Sequence, residues 1–228
     1  MLEWYRRSAG WEILLEDCEA LLRSCANEIL GEPILCFDNT QIDLSKDFRR
    51  ITMDEAFLQH AGFSILERLE PATLQSKLDE LGIHHHPSDT WDDLFHRVFL
   101  DKVEPALLKD PAPLFLTHYP APLAALARRV PSDPRVAERF ELYVAGIELA
   151  NGFGELTCPV EQRRRFEADR AWRVEQGMHD YPMDERFFKA LETLPPSAGI
   201  ALGVDRLMML LLDAQNIKEI SLIAWEDA

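Results

Sequence analysis

The sequence predicts an α+β fold built on an antiparallel sheet flanked by helices. Two patterns and one absence carry that expectation. From Arg139 the chain alternates, with Phe140, Leu142 and Val144 between Arg139, Glu141 and Tyr143, the period-two signature of a strand. By contrast, Leu14, Leu15, Cys18, Leu21, Leu22, Cys25 and Ile29 recur at helical spacing from about Trp11 to Leu30. Strand and helix signals nowhere alternate in a βαβ rhythm, which argues against a doubly wound parallel sheet.

The elements follow in chain order. Gly31 and Pro33 stop the first helix, and Ile34 to Phe37 reads as a short strand. Residues 52–108 look mostly helical and form the expected insertion in one catalytic domain covering 1–228. Thr52 is the candidate N-cap there, with Glu55 at the third helical position. Trp91, Leu94, Phe95, Val98, Phe99 and Val103 trace a second apolar stripe. Prolines at 111, 113, 120 and 122 bracket a strand, Leu114 to Thr117. Ala145-Gly146 is a two-residue turn after which Ile147 to Leu149 resumes a strand. Glu161 to Gln176 reads as a charged, solvated helix ended by Gly177. Gly199 to Gly203 reads as a small-residue turn leading into an apolar helix, Val204 to Leu212.

Composition narrows the function. The 228 residues carry 24 Lys and Arg against 40 Asp and Glu, a formal net charge of −16, with 47% hydrophobic residues. That balance is globular and excludes a chain disordered throughout. The acidity argues against a module gripping nucleic acid through a basic face and suits a cation cofactor, a metal–nucleotide complex or an amine substrate. Cys18, Cys25, Cys36 and Cys158 form no C-x-x-C pair, so free thiols in a reducing cytoplasm are expected. The first residues lack the apolar core of a signal peptide. The longest apolar run, Leu207 to Leu212, is too short to span a bilayer, so no membrane partner is expected.

Three constellations are candidates for chemistry. If Ala145-Gly146 is the hairpin loop, Tyr143 pairs with Glu148 and Glu141 with Ala150, and Glu141 and Glu148 fall on one face as diagonal neighbours. An all-oxygen pair of this kind suits Mg²⁺ completed by phosphate and water; two exposed glutamates on a wet face are the plain alternative. Next, Asn151-Gly152-Phe153-Gly154-Glu155 permits a bulge at its glycines that re-aims Asn151 and Glu155 into one pocket fit for an ammonium. A glycine turn with an incidental acid explains the same residues. Last, Arg206, on the first turn after Gly199 to Gly203, is placed to reach a phosphate, although small residues before a buried helix need no ligand. His84-His85-His86 are better explained as an exposed loop beside Pro87 than as metal ligands.

Taken together, Glu141 to Leu156, then Ala201-Leu202-Gly203-Val204-Asp205-Arg206-Leu207, resemble the C-terminal half of a class II lysyl-tRNA synthetase catalytic domain. The later segment looks like motif 3 of that class, and Met1-Leu2-Glu3-Trp4-Tyr5 looks like the tail of its motif 2. The resemblance covers essentially the whole chain and is tightest to the short paralogues that modify translation elongation factor P. It implies a class II aminoacyl-tRNA synthetase-like sheet of six or more antiparallel strands. It also implies activation of lysine or β-lysine by ATP and Mg²⁺ as an adenylate, with pyrophosphate released. By position, Glu141 and Glu148 match metal-binding acids. Asn151, Glu155, Glu3 and Tyr5 match substrate-pocket residues, with Glu155 and Tyr5 toward the side-chain amine. Gly203 and Arg206 match the nucleotide side, Arg206 as the catalytic arginine holding the ATP tail. Such chemistry rests on orientation and charge neutralisation at phosphorus more than on acid–base work.

Three departures from the family pattern shape the expected partners. Without an anticodon-binding barrel in residues 1–228, elongation factor P rather than tRNA is the expected acceptor. The Arg-x-Glu element of motif 2 is absent, and so is motif 1, through which the family forms homodimers. Ala201 stands where lysyl-tRNA synthetases usually have Gly, which narrows the substrate pocket. A lysine–tRNA ligase fragment and an inactive truncated paralogue are the competing expectations.

Overall fold

A computed structural model of the chain describes residues 1–221. In chain order the elements are β1 (Leu2–Arg7), α1 (Glu12–Leu30), β2 (Ile34–Phe37), β3 (Thr40–Asp43), β4 (Arg49–Thr52), α2 (Met53–His60), α3 (Pro71–Leu81), α4 (Trp91–Val98) and α5 (Glu104–Leu107). They continue with β5 (Leu114–Thr117), β6 (Arg129–Val130), β7 (Asp133–Ala137), β8 (Arg139–Val144), β9 (Ile147–Gly154), α6 (Pro159–Glu175), α7 (Glu185–Leu191), β10 (Ser197–Leu202) and α8 (Val204–Leu212). The first helix, the 114–117 strand, the hairpin and the last helix all form where the sequence puts them. Thr52 closes a capping box with Glu55, each side chain taking the other's backbone N–H.

Six strands form one sheet in the order β1-β10-β9-β8-β5-β4. Every neighbouring pair is antiparallel except β4 and β5, which run parallel. A parallel pair needs a long crossover, and here α2 to α5 supply it. The helical stretch is therefore the connection that lets β4 join the edge of the sheet.

The sheet separates two hydrophobic cores. On one face, Ile200, Phe140, Leu142 and Phe115 pack against α1, α8 and the β2–β3 hairpin through Leu14, Cys18, Leu22, Leu35 and Leu210. On the other face, Leu114, Leu116 and Tyr143 are covered by Phe57, Phe95, Val98 and their neighbours on the crossover helices. Those helices reach the β5 and β8 end. Toward the other end Phe153 of β9 packs against Ala124, Ala127 and Ala137, and the more open remainder along β1, β10 and β9 carries the candidate site.

One expected element differs. Gly199 to Gly203 is no turn: residues up to Leu202 form the second half of β10, a central strand between β1 and β9. Ala198, Ile200 and Leu202 face the first core, while Gly199 and Ala201 face the open side. A strand whose outer residues are all small shows too little contrast for its alternation to be read.

Candidate active site

The strand registers align two rows on the open face, one of four predicted residues and one that holds Tyr5. Glu3 lies opposite Ala201, Ala201 opposite Asn151, and Asn151 opposite Glu141. In the next row, Tyr5, Gly199, Phe153 and Arg139 align in the same way. Directly opposed residues hold their Cβ atoms ~4.5–5.5 Å apart, so residues far apart in sequence become neighbours.

The register corrects one expected pairing. Tyr143 does face Glu148 and Val144 faces Ile147, but Glu141 pairs with Asn151, not with Ala150. A bulge intervenes, because Leu142 takes Ala150 and leaves Leu149 unpaired. Leu149 and Ala150 both turn into the first core. That extra residue puts Asn151 on the same face as Glu148, which strict alternation forbids. The bulge sits before the glycines, not at them. It also anchors the next element: the Leu149 carbonyl accepts the Gly203 N–H at 2.9 Å, at the start of α8.

Glu141 is the most enclosed of the site acids, 9% exposed. Its Oε1 accepts from Arg139 Nη2 at 2.9 Å and its Oε2 from the Tyr143 hydroxyl at 2.7 Å. The Arg139 guanidinium lies 4.5 Å over the Tyr119 ring and also donates to the Leu123 carbonyl. Burial and the Glu141 charge push the Tyr143 and Tyr119 hydroxyls well above their ordinary range. Arg139, Tyr143 and Tyr119 escaped the sequence reading, although positions two residues either side of Glu141 on a strand must share its face.

Glu148 is more open. Burial, then the Glu141 charge, raises its carboxyl above the ordinary value, and Arg206 opposes the rise. Arg206 Nη1 donates to the Glu148 carbonyl at 2.5 Å and lies 3.5 Å from its carboxylate. Glu148, Asn151, Phe153, Ala201, Gly203 and Arg206 line a cavity of about 570 Å³. Glu141 does not line it but stands beside it in the row.

A second cavity, about 140 Å³, is lined by Glu3, Tyr5, Asn151, Phe153, Glu155, Gly199 and Ala201. Burial raises the Glu155 carboxyl to about 7. Tyr5 titrates above its ordinary value through burial, then the charges of Glu155 and Glu3. A Cβ on Gly199 would fall 2.3 Å from Glu155 Oε1 and 2.6 Å from Tyr5 Cε1, so only glycine leaves this corner open. Asn151, Phe153 and Ala201 are the wall common to both cavities. The Asn151 Oδ1 is buried without a partner, the mark of an acceptor waiting for a ligand donor. Phe153, unassigned from sequence, is the apolar element of this wall.

A cavity of about 550 Å³ between α6 and the 121–126 loop contains none of the predicted residues and meets the site only through Arg139. Among the described residues, no three or more His, Cys, Asp or Glu side chains gather where they could hold a metal ion. His85 instead pairs with Asp79 at 3.0 Å and His86 with Ser88 at 2.7 Å. Glu141 and Glu148 supply oxygens of the kind a hard cation takes together with phosphate and water, with both Glu141 oxygens already accepting from Arg139 and Tyr143. Arg206 and the unpartnered Asn151 oxygen fit a phosphate tail and an amine beside it.

Residues 1–225 match the protein family described as tRNA synthetases class II (D, K and N). A lysine–tRNA ligase of Pelotomaculum thermopropionicum is 36% identical over 97% of this chain and 44% of its own length. One from Aromatoleum aromaticum is 37% identical with the same coverage. An elongation factor P–(R)-β-lysine ligase of Vibrio cholerae is 39% identical over 97% of this chain and 63% of its own. The chain thus spans about half the length of the lysine–tRNA ligases it matches.

Proposed function

Since the chain belongs to the class II tRNA synthetases (D, K and N), we propose that it is the C-terminal part of a catalytic domain that activates lysine or β-lysine with ATP and Mg²⁺. The activated acyl group then passes to a lysine of translation elongation factor P in the cytoplasm. The observation that carries the reading is the pair of adjoining cavities on one sheet face, one lined by Arg206 and Glu148 and the other by Glu155 and Tyr5, sharing Asn151 and Ala201.

ATP with Mg²⁺ supplies an electrophilic α-phosphorus and neutralises the charge that develops on the departing pyrophosphate. The chain's own residues bind and orient. Glu141, held by Arg139 and Tyr143, and Glu148 are the oxygen donors that would hold the cation. Arg206 neutralises the polyphosphate tail from the first turn of α8. Glu155 and Tyr5 receive the side-chain ammonium, Glu3 lies at the mouth, and the Asn151 oxygen accepts from the substrate amine. The nucleophile is the substrate's own carboxylate, already ionised near neutral pH, so no side chain needs to act as a base. Catalysis then rests on holding carboxylate and phosphorus in line.

A transfer to tRNA is the second reading, favoured by the similar identity of the lysine–tRNA ligases. Pyrophosphate exchange with α-lysine and β-lysine, followed by transfer assays offering elongation factor P or lysine tRNA, separates the readings. Exchange with either isomer and transfer to the protein alone is the expected result. No exchange with either isomer overturns the adenylate reading for this chain and favours an inactive paralogue.

A further inference from the structure

Two arginine–carboxylate pairs balance the charge of the site, and they are built differently. Arg139 and Glu141 form a fixed pair. Their side chains are 20% and 11% exposed and 2.9 Å apart; the guanidinium is held by the Leu123 carbonyl and the Tyr119 ring, and the carboxylate by the Tyr143 hydroxyl. Arg206 and Glu148 form a loose pair. Their side chains are 49% and 40% exposed and 3.5 Å apart. The closer bond of Arg206 goes to the Glu148 backbone carbonyl, so the carboxylate is the contact it can release.

Resting on the adenylate reading above, we propose that Arg206 and Glu148 are an exchangeable pair that couples nucleotide binding to metal binding. While paired, each cancels the charge the other offers a ligand. A polyphosphate that draws Arg206 to itself leaves the Glu148 carboxylate free for a cation. A cation on Glu148 leaves Arg206 free for phosphate. Thermodynamic linkage makes the two effects equal in size. Glu141 does not exchange, because its guanidinium partner is also anchored by the Leu123 carbonyl and the Tyr119 ring. The site therefore has one acid whose charge Arg139 keeps balanced and one whose charge becomes available with the nucleotide. Neither ligand alone meets the site at its full charge.

The test uses direct binding to the 228-residue chain, with circular dichroism to confirm that each variant is folded. Mn²⁺ alone, followed by electron paramagnetic resonance, should bind Arg206→Ala roughly fivefold more tightly than the unaltered chain, the upper end for a half-exposed ion pair. The gain should vanish in Arg206→Ala/Glu148→Gln. With all metal removed by EDTA, Glu148→Gln should bind ATP more tightly than the unaltered chain by a similar factor. Arg206→Gln serves as a second variant if the alanine does not fold. Equal or weaker Mn²⁺ binding by the Arg206 variants overturns the coupling. If Glu148→Gln at the same time weakens Mn²⁺ binding, Glu148 is still a metal ligand and the adenylate reading survives. If Glu148→Gln binds Mn²⁺ as the unaltered chain does, both the coupling and the metal assignment fall.

Discussion

Glu155 gives a sharp test of the amine pocket, because its carboxyl is raised to about 7 by burial and its role requires the ionised form. Lysine keeps its side-chain ammonium well above neutrality, so the proton that limits binding is the one on Glu155. At pH 6 only about one chain in eleven carries the carboxylate, and at pH 8 about nine in ten do, as follows from one pK unit either side of the midpoint. The Kd for lysine should therefore rise about tenfold from pH 8 to pH 6. Tyr5, pushed above its ordinary value, stays neutral throughout. Calorimetry in two buffers of different ionisation enthalpy should show close to one proton released per lysine bound at pH 6 and almost none at pH 8. Glu155→Gln should abolish both the slope and the proton release. At pH 8 it should cost about 2–4 kcal/mol of lysine binding, near the lower end for a broken buried pair because the site is half open. Norleucine, with no ammonium, should lose little. A flat Kd from pH 6 to 8, or equal losses for lysine and norleucine, refutes the assignment. The sign for stability is opposite. A carboxyl raised in the folded chain loses stability as pH rises from its ordinary 4.5 towards 7. The thermal midpoint of Glu155→Gln, relative to the unaltered chain, should accordingly be higher at pH 8 than at pH 5.

Other variants probe the neighbouring walls. Gly199→Ala puts a methyl against Glu155 and Tyr5 and should abolish lysine binding while the circular dichroism spectrum is kept; retained binding would show that the corner is not the amine site. Ala201→Gly removes a methyl from the wall common to both cavities. Since one methyl discriminates by roughly 10-fold to 200-fold, the ratio of α-lysine to β-lysine exchange should move toward α-lysine by some part of that range, and an unchanged ratio removes the steric argument. Arg165 donates to the Ala125 and Ala127 carbonyls at 2.8 and 2.9 Å, and Ala127 bridges to Glu155. Arg165→Met should raise the lysine KM about tenfold with little change in kcat, since a charged hydrogen bond is worth about 1.5–3 kcal/mol. A fall confined to kcat would contradict that positioning role.

What the sequence determined by itself is what depends on short-range pattern. The α1 stripe, the Thr52–Glu55 box, the Ala145-Gly146 turn and the polar–apolar contrast of β8 each lie within a few residues. Local sterics and the hydrophobic period are enough to read them. Glu141, Glu148, Asn151, Glu155 and Arg206 stood out in the sequence beside plain structural alternatives, and Glu3, Tyr5 and Ala201 came only from the resemblance. Their arrangement was not visible. The Leu149 bulge, which puts Asn151 beside Glu141, follows from two adjacent apolar residues both finding room in one core, a fact about packing across the sheet. β10 escaped notice because Gly199 and Ala201 keep its open side bare, and it became a strand only through pairing with β1 and β9. The clasp of Arg139, Tyr143 and Tyr119 around Glu141 joins two distant segments. Whether a charge is paired, buried or free is set by such long-range neighbours. Tertiary structure alone therefore decided which of the two acids is fixed and which can exchange.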